Sequence, residues 1–459
     1  MMDNKISLKT LLSVIAAGIM SFSGVVIETS MNITFPTLMR DFNVGTSTVQ
    51  WMTTIYLLIV SIVVPLSAIL NRNFKTKQLF IVSNLLFIIG VVCDLTAPSF
   101  TFLLIGRVIQ GFGTGIALPL MFNIILDQVP AEKIGVMMGV GNLITAIAPA
   151  VGPTFGGIVV SSIGWRYIFA ILLPILVISL ILGVLNIEQK REIKKTSLDF
   201  VGLILIVITF TGLVYGFSNM GAGNIISAVV ILPIIIGVIA LITLYMHCIR
   251  SNNAILDLSV LKNHKFAGHI VGFFILQFIT LGLSFILPNY VQIVNHSSAF
   301  IAGLLVLPGA AIGAILAPLS GNLYDRFGAY KPLALGMLFG LIGLVLFAIF
   351  GTHLSNTMIL IFYVIYMLCI GLSFGNIMTS GLSQLDGEQR TDGNAVFNTL
   401  QQISGAIATS IVSAIITISQ LSNSNEATGT AVGSLHALIL LLVLIVIASL
   451  ILNAVVKRK

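Results

Sequence analysis

Apolar runs of about twenty residues follow one another along the whole chain, parted only by short polar or charged connectors. Coiled as helix at ~1.5 Å per residue, each run is long enough to cross the ~30 Å of hydrocarbon in a bilayer. The runs fall at residues 11 to 33, 48 to 70, 79 to 97, 100 to 126, 134 to 161, 165 to 187, 199 to 217, 224 to 249, 266 to 291, 299 to 323, 331 to 351, 356 to 381, 392 to 420 and 433 to 455. Lipid cannot hydrogen-bond a bare backbone, so runs of this kind predict helices. The pattern predicts an all-α polytopic membrane protein with about fourteen transmembrane helices.

The connectors carry the topology. Of the 22 basic residues only Arg40 and Arg166 fall on one side of the threaded chain, and Arg107 lies within a span. The rest gather on the other side, which the positive-inside rule makes cytoplasmic, with both termini there. The longest charged connector, IEQKREIKKTSLD, closes the first six spans. Two spans follow it, then six more, which divides the chain into an N-terminal six-helix bundle (1–187), a charged linker with two inserted helices (188–263) and a C-terminal six-helix bundle (264–459). PLSAILNRNF after span two and PLSGNLYDRF after span ten recur at nearly the same spacing from Pro36 and Pro288. Such a repeat implies two similar bundles with a substrate site between them near the midplane.

Composition narrows the function. With 57% hydrophobic and 8% charged residues and a mean hydropathy of +1.11, no soluble domain of useful size remains. The net charge of +7 sits at span ends rather than on a shared face, which argues against a nucleic-acid partner. Cys93, Cys248 and Cys369 lie within or beside apolar runs without metal or redox spacing and are assigned to packing. No catalytic constellation, nucleotide loop, metal set or cofactor motif stands out, so an enzyme is not expected.

Candidate chemistry therefore rests on polar groups inside spans. Glu28 lies about two thirds of the way along span one, where a charge costs at least ~2.5 to 3.5 kcal/mol and persists only with a partner, water or a proton. Arg107 lies some ~10 Å into span four, at a depth comparable to that of Glu28. Asp94, near the end of span three, is somewhat shallower, and the three are candidates for one proton-coupling cluster. Either Glu28 exchanges protons or it is a structural carboxylate paired with Arg107. Candidate substrate contacts are Glu28, Asn32, Asn142, Gln277, Asn376, Asn398 and Gln401. Asn394, Asn398, Gln401 and Gly405 recur at helical spacing as one polar stripe, which either lines a cavity or hydrogen-bonds a neighbouring helix.

Four motifs resemble those of the major facilitator superfamily, and within it the fourteen-span drug:proton antiporters of the EmrB and QacA type. Gly321, Leu323, Asp325, Arg326 and Gly328 match GxLxDRxG in the loop after span ten. The first-half copy departs from it, with Ala68, Arg72 and Lys75 where that motif has Gly, Asp and Gly. GRVIQGFG carries Arg107, Gln110, Gly111 and Gly113 as in the RxxxG motif of span four. APAVGPTFGG is similar to the antiporter motif GxxxGPxxGG through Gly152, Pro153, Gly156 and Gly157, with Ala148 at the first glycine. IETSMNITFP resembles the span-one motif LDxTxxNxALP with Glu28 in place of Asp. The resemblance implies a major facilitator fold in a bacterial cytoplasmic membrane and a monomer. It implies gating by the glycine-rich motifs and a proton-coupled multidrug efflux antiporter without cofactors, its partners being amphiphilic drugs, protons and lipid. A narrow-specificity exporter of a metabolite, peptide or lipid is the alternative on the same scaffold.

Overall fold

The computed structural model describes residues 6–130, 134–189, 193, 197–220, 227–251, 254–256, 258–386 and 389–456. Fourteen long helices account for most of them: α1 Leu8–Phe42, α2 Trp51–Asn73, α3 Thr76–Leu95, α4 Phe100–Gln128, α5 Ile134–Ser162, α6 Arg166–Asn186 and α7 Phe200–Asn219. The series continues with α8 Ala228–Arg250, α9 His264–Asn289, α10 Ala299–Phe327, α11 Tyr330–Phe350, α12 Asn356–Leu382, α13 Gln389–Leu421 and α14 Glu426–Val455. Thirteen of these are long and apolar enough to cross a membrane among the described residues. The remaining one, α5, runs through positions whose side chains lie outside the described set, Asn142 among them.

Local chemistry sets the ends. The side chains of Ser7, Ser99, Ser298 and Ser355 each accept a backbone N–H of the first turn of α1, α4, α10 and α12, so the polar residue before an apolar run starts the helix. The expected span one, 11 to 33, is the lipid-sized part of a 35-residue helix. Hydropathy reports where lipid ends, whereas the helix continues until Asn43 turns into the left-handed region at φ 52° and caps it.

The helices form two six-helix bundles and an extra pair. In the first bundle α1 packs on α4, α5 and α6, α3 on α4 and α6, and α2 on α4. In the second, α12 packs on α10 and α11, while α9, α13 and α14 pack on one another. The inserted helices α7 and α8 pack mainly on each other, and α8 turns Ile235, Ile239 and Ile242 outward to face lipid.

Contacts between the bundles lie at one end. The second half of α5 meets the start of α10: a Cβ on Gly157 would sit 2.6 Å from the Ala299 carbonyl oxygen, and one on Gly303 2.5 Å from that of Pro153. Thr154 donates to the Gly303 carbonyl at 3.2 Å, and the Phe300 N–H donates to Ser161 at 3.0 Å. On the opposite side of the interface, the first turns of α2 meet α13 through Thr54 and Thr409 at 2.8 Å. Between them Phe35 of α1 packs on Phe285 of α9, ring centroids 5.5 Å apart. All three contacts lie in the half of the molecule farthest from the termini, which fourteen traversals bring back to a common end.

Exposure shows the complementary opening. Along α13, Asn394 is exposed, Asn398 and Gln401 are partly exposed, and residues 403 to 410 are all buried. On α1, Phe22, Val25 and Glu28 are partly exposed, and residues 29 to 36 are all buried. The bundles thus enclose a cleft open towards the terminal end and sealed at the far end.

The close approach of α5 and α10 gives the first prediction. Gly303→Val has no room for its side chain, and such overpacking costs typically ~1 to 3 kcal/mol. Maleimide labelling of a cysteine replacing the far-end residue Thr409 is expected to accelerate roughly tenfold as the seal loosens. An unchanged rate contradicts the packing described.

Candidate polar cluster and cleft

Two pairs of glycines make room for the cluster. Gly90 and Gly106 let α3 and α4 touch backbone to backbone, a Cβ on Gly90 falling 2.7 Å from the Gly106 carbonyl oxygen, and Gly106 also leaves space for the Asp94 carboxylate. Gly24 on α1 and Gly111 on α4 do the same around Tyr56 of α2, one turn before Glu28. Polar side chains from α1, α2, α3 and α4 then meet inside the first bundle.

Arg107 is fully buried, although a residue in its position was open to snorkelling towards the headgroups. Its Nε donates to the Met52 carbonyl at 2.9 Å and its Nη1 to Gln110 Oε1 at 2.6 Å, while the guanidinium lies 4.2 Å from the centre of the Tyr56 ring. Gln110 in turn donates through Nε2 to Asp94 Oδ2 at 2.7 Å. Asp94 is fully buried and so is no solvated helix end. Gln110 thereby keeps acid and base one amide apart, and Asp94 Oδ1 and Arg107 Nη2 have no hydrogen-bond partner among the described residues. Tyr56 donates to Thr114 at 2.9 Å, which fixes the ring beneath the guanidinium.

Glu28 is the third charged member. It interacts electrostatically with Arg107 and Tyr56, yet its carboxylate makes no hydrogen bond among the described residues. Unlike Asp94 it is only half-buried, because it stands where the partly exposed stripe of α1 ends. Its position is the floor of the cleft, with the sealed layer immediately beyond it.

Asn32, one turn further on, is buried and bonded at both ends of its amide: it accepts from Thr53 of α2 and donates to Ser284 of α9, both at 2.9 Å. That makes it a link between the bundles just under Glu28. Asn376 is buried and donates to the Leu372 and Ser320 carbonyls, within its own bundle. Asn398 donates to the Asn394 carbonyl one turn back. Gln277 and Gln401 are partly exposed and make no hydrogen bond among the described residues. Asn142 lies outside the residues whose side chains are described.

The gating candidates fall into two places. Gly152 and Gly156 face α1, where Ser30 donates to the Gly152 carbonyl at 2.7 Å, while Pro153 and Gly157 face α10. One motif therefore knits the first bundle and closes it against the second. At the other end of the molecule Gly328 caps α10 at φ 74°, a backbone that suits glycine, and Arg326 is exposed. A Cβ on Gly321 would meet nothing within 4 Å among the described residues, so no neighbour packs on that glycine. The side chain of Asp325 lies outside the described residues.

Sequence reasoning missed Tyr56, Thr53, Thr114 and Ser284. A signal was present in the polar letters of WMTTIY inside an apolar run, but spacing alone does not say which neighbour they meet.

The fold and this intramembrane cluster define a polytopic membrane transporter with two pseudo-symmetric bundles, not an enzyme. The family model described as Major Facilitator Superfamily matches residues 14–409, and the chain belongs to that superfamily. It is 36% identical to the lincomycin resistance protein LmrB of Bacillus subtilis (strain 168), over 89% of this chain and 85% of that protein. It is 27% identical to the multidrug resistance protein B homolog of Mycobacterium tuberculosis (strain ATCC 25618 / H37Rv), over 85% of this chain and 73% of that one. Among solved structures, a bacterial homolog of the human lysosomal transporter Spinster, inward-facing and unoccupied, superposes with a TM-score of 0.70 over 98% of this chain and 97% of that one. At 16% identity that likeness shows the fold alone.

Removing the cation tests the cluster. Arg107→Ala strands Asp94 in a buried site and is expected to destabilise the protein by about 3 to 5 kcal/mol, measured by thermal unfolding in detergent. Adding Asp94→Asn is expected to restore part of that loss. Strict additivity of the two changes would show that the groups are not coupled.

Proposed function

We propose that the protein is a proton-coupled multidrug exporter of a bacterial cytoplasmic membrane, working by alternating access with both termini in the cytoplasm. The observation that carries the reading is Glu28 itself: a carboxylate at the floor of a one-ended cleft, coupled to a buried arginine and free of hydrogen bonds that would tie it down. The names of the relatives, lincomycin resistance and multidrug resistance, support drug efflux. The bias of basic residues supports the orientation.

In this reading residues 1–187 and 264–459 are the two moving bodies, and an amphiphile enters the cleft from the cytoplasm or the inner leaflet. Gln277, Gln401 and the partly exposed Phe274 offer polar and aromatic contacts along its wall. Glu28 meets either the drug's cationic group or a proton, since one carboxylate in a dry site is satisfied by one of them at a time. When the α5–α10 and α2–α13 seals part and the terminal end closes, a proton from outside takes the site and the drug leaves. Each proton moved inward across 100 mV releases ~2.3 kcal/mol, enough for roughly fifty-fold accumulation.

Proteoliposome transport tests this. Glu28→Gln is expected to abolish drug-driven proton release and to weaken the binding of cationic drugs by roughly tenfold. Unchanged exchange removes Glu28 from the mechanism. A cell assay with ethidium, a lincosamide, a quinolone and a quaternary ammonium compound tests breadth, and resistance to a single compound would favour a narrow exporter.

A further inference from the structure

The inserted helices contact both bundles, and the two sets of contacts are not alike. The pair is first of all a unit. Gly212 of α7 and Gly237 of α8 let the backbones touch, with Cβ positions 2.7 Å from the Pro233 carbonyl oxygen and 2.9 Å from the Leu213 nitrogen. At the terminal end Asp199 caps α7 and pairs with His247 of α8 at 2.9 Å.

Towards the second bundle the anchorage comes from α7 on α13 and from the turn that follows α8. The turn Leu258–Lys262 packs on α8, α9 and α13, with Leu258 and Val260 buried. Asn263 donates to the Gln384 carbonyl after α12 at 2.8 Å, and α7 packs along α13. Towards the first bundle the side-chain contacts are at the far end. There Trp51 of α2 meets the Tyr215 ring, centroids 6.3 Å apart, and Gln50 donates to Ser218 at 3.0 Å.

Ser218 is the junction. Its hydroxyl meets Ser410 of α13 at 2.9 Å, Gln50 also accepts from Thr54, and Thr54 meets Thr409 of α13 at 2.8 Å. The buried chain Ser410, Ser218, Gln50, Thr54, Thr409 thus leaves α13 through the inserted helix, crosses α2 and returns to α13. Each link survives only while water is excluded, because water replaces such bonds at little cost once it enters.

We infer that α7 and α8 move as part of the second bundle, and that Ser218 with Gln50 is a far-end gate contact that breaks when the cleft opens there. Ser218 bonded to Ser410 stays within the moving body. Ser218 is therefore a positioning residue of the gate, and the inference rests on the alternating-access reading above.

Cysteine pairs in the full chain, with Cys93, Cys248 and Cys369 replaced by alanine, separate the possibilities. Ser218→Cys with Ser410→Cys places two thiols where hydroxyls already touch, a geometry suited to a disulfide, and forming that bond is expected to leave ethidium transport within about twofold of the same variant kept reduced. Trp51→Cys with Tyr215→Cys, bridged by a bifunctional methanethiosulfonate, is expected to lower transport roughly tenfold or more, with recovery on reduction showing an intact fold. Thr54→Cys with Thr409→Cys joins the two bundles directly and is expected to arrest transport likewise. If that disulfide is tolerated, alternating access at this face fails, and the inference falls with it. If it arrests transport but the Trp51–Tyr215 bridge does not, or the Ser218–Ser410 bond arrests it too, alternating access stands and the assignment of the inserted helices is overturned.

Discussion

A guanidinium buried in a membrane bundle is the constraint on which the remaining polar architecture depends. Arginine cannot shed its charge, so Arg107 must find its compensation in neighbouring groups. It finds a carbonyl in Met52, an amide in Gln110 and an aromatic face in Tyr56. Each comes from a different turn of α2 or α4, so satisfying the charge also fixes how those helices pack. Around this one cation stand two acids, Asp94 and Glu28. Counting charges, the cluster is neutral when one of the two is ionised and the other holds a proton. A low-dielectric site penalises net charge, so the two acids and the cation act as one electrostatic unit.

The acids differ in access, and the difference assigns their parts. Asp94 is sealed and held through Gln110, whereas Glu28 is half-buried and unbonded. A group that exchanges protons with a cleft has to be reachable from it, and only Glu28 is. In the proposed exchange, Asp94 would adjust the charge around Glu28 through the arginine they share, without itself meeting the substrate. The long-range order of the helices is thereby linked to function: α3 and α4 must touch at Gly90 and Gly106 for Asp94 to reach the cluster at all.

Much of this was legible in the letters. Length and hydropathy gave the fourteen helices, the charged connector and the repeated PLS segments gave their grouping, and Glu28, Asp94 and Arg107 were the charges lipid should not tolerate. What was illegible depends on neighbours. Asn32 reads as a substrate contact, yet its amide is divided between Thr53 and Ser284. The glycines of APAVGPTFGG read as one sealing surface, yet Gly152 and Gly156 face α1 while Gly157 faces α10. Hydropathy measures the solvent a residue tolerates, and motif spacing measures which residues share a helix face. Neither says which helix lies opposite.

The seal between the bundles is made of materials that can part. Interlocked large side chains would make separation costly, since every disengaged contact forfeits dispersion and leaves a cavity. Apart from the Phe35–Phe285 ring contact, the joins are glycine against backbone at α5 and α10, and short hydroxyl and amide chains at α2, α7 and α13. Small residues allow close approach without interdigitation, and hydroxyls exchange a protein partner for water with little net change. The two bundles therefore approach closely there with little interdigitation between them. The floor of the cleft lies directly against that interface, and Asn32 reaches from the helix of Glu28 across it to α9. In the proposed exchange, a change in charge at Glu28 occurs one helical turn from the Asn32–Ser284 hydrogen bond that links the two bundles, which gives protonation a short physical route to opening.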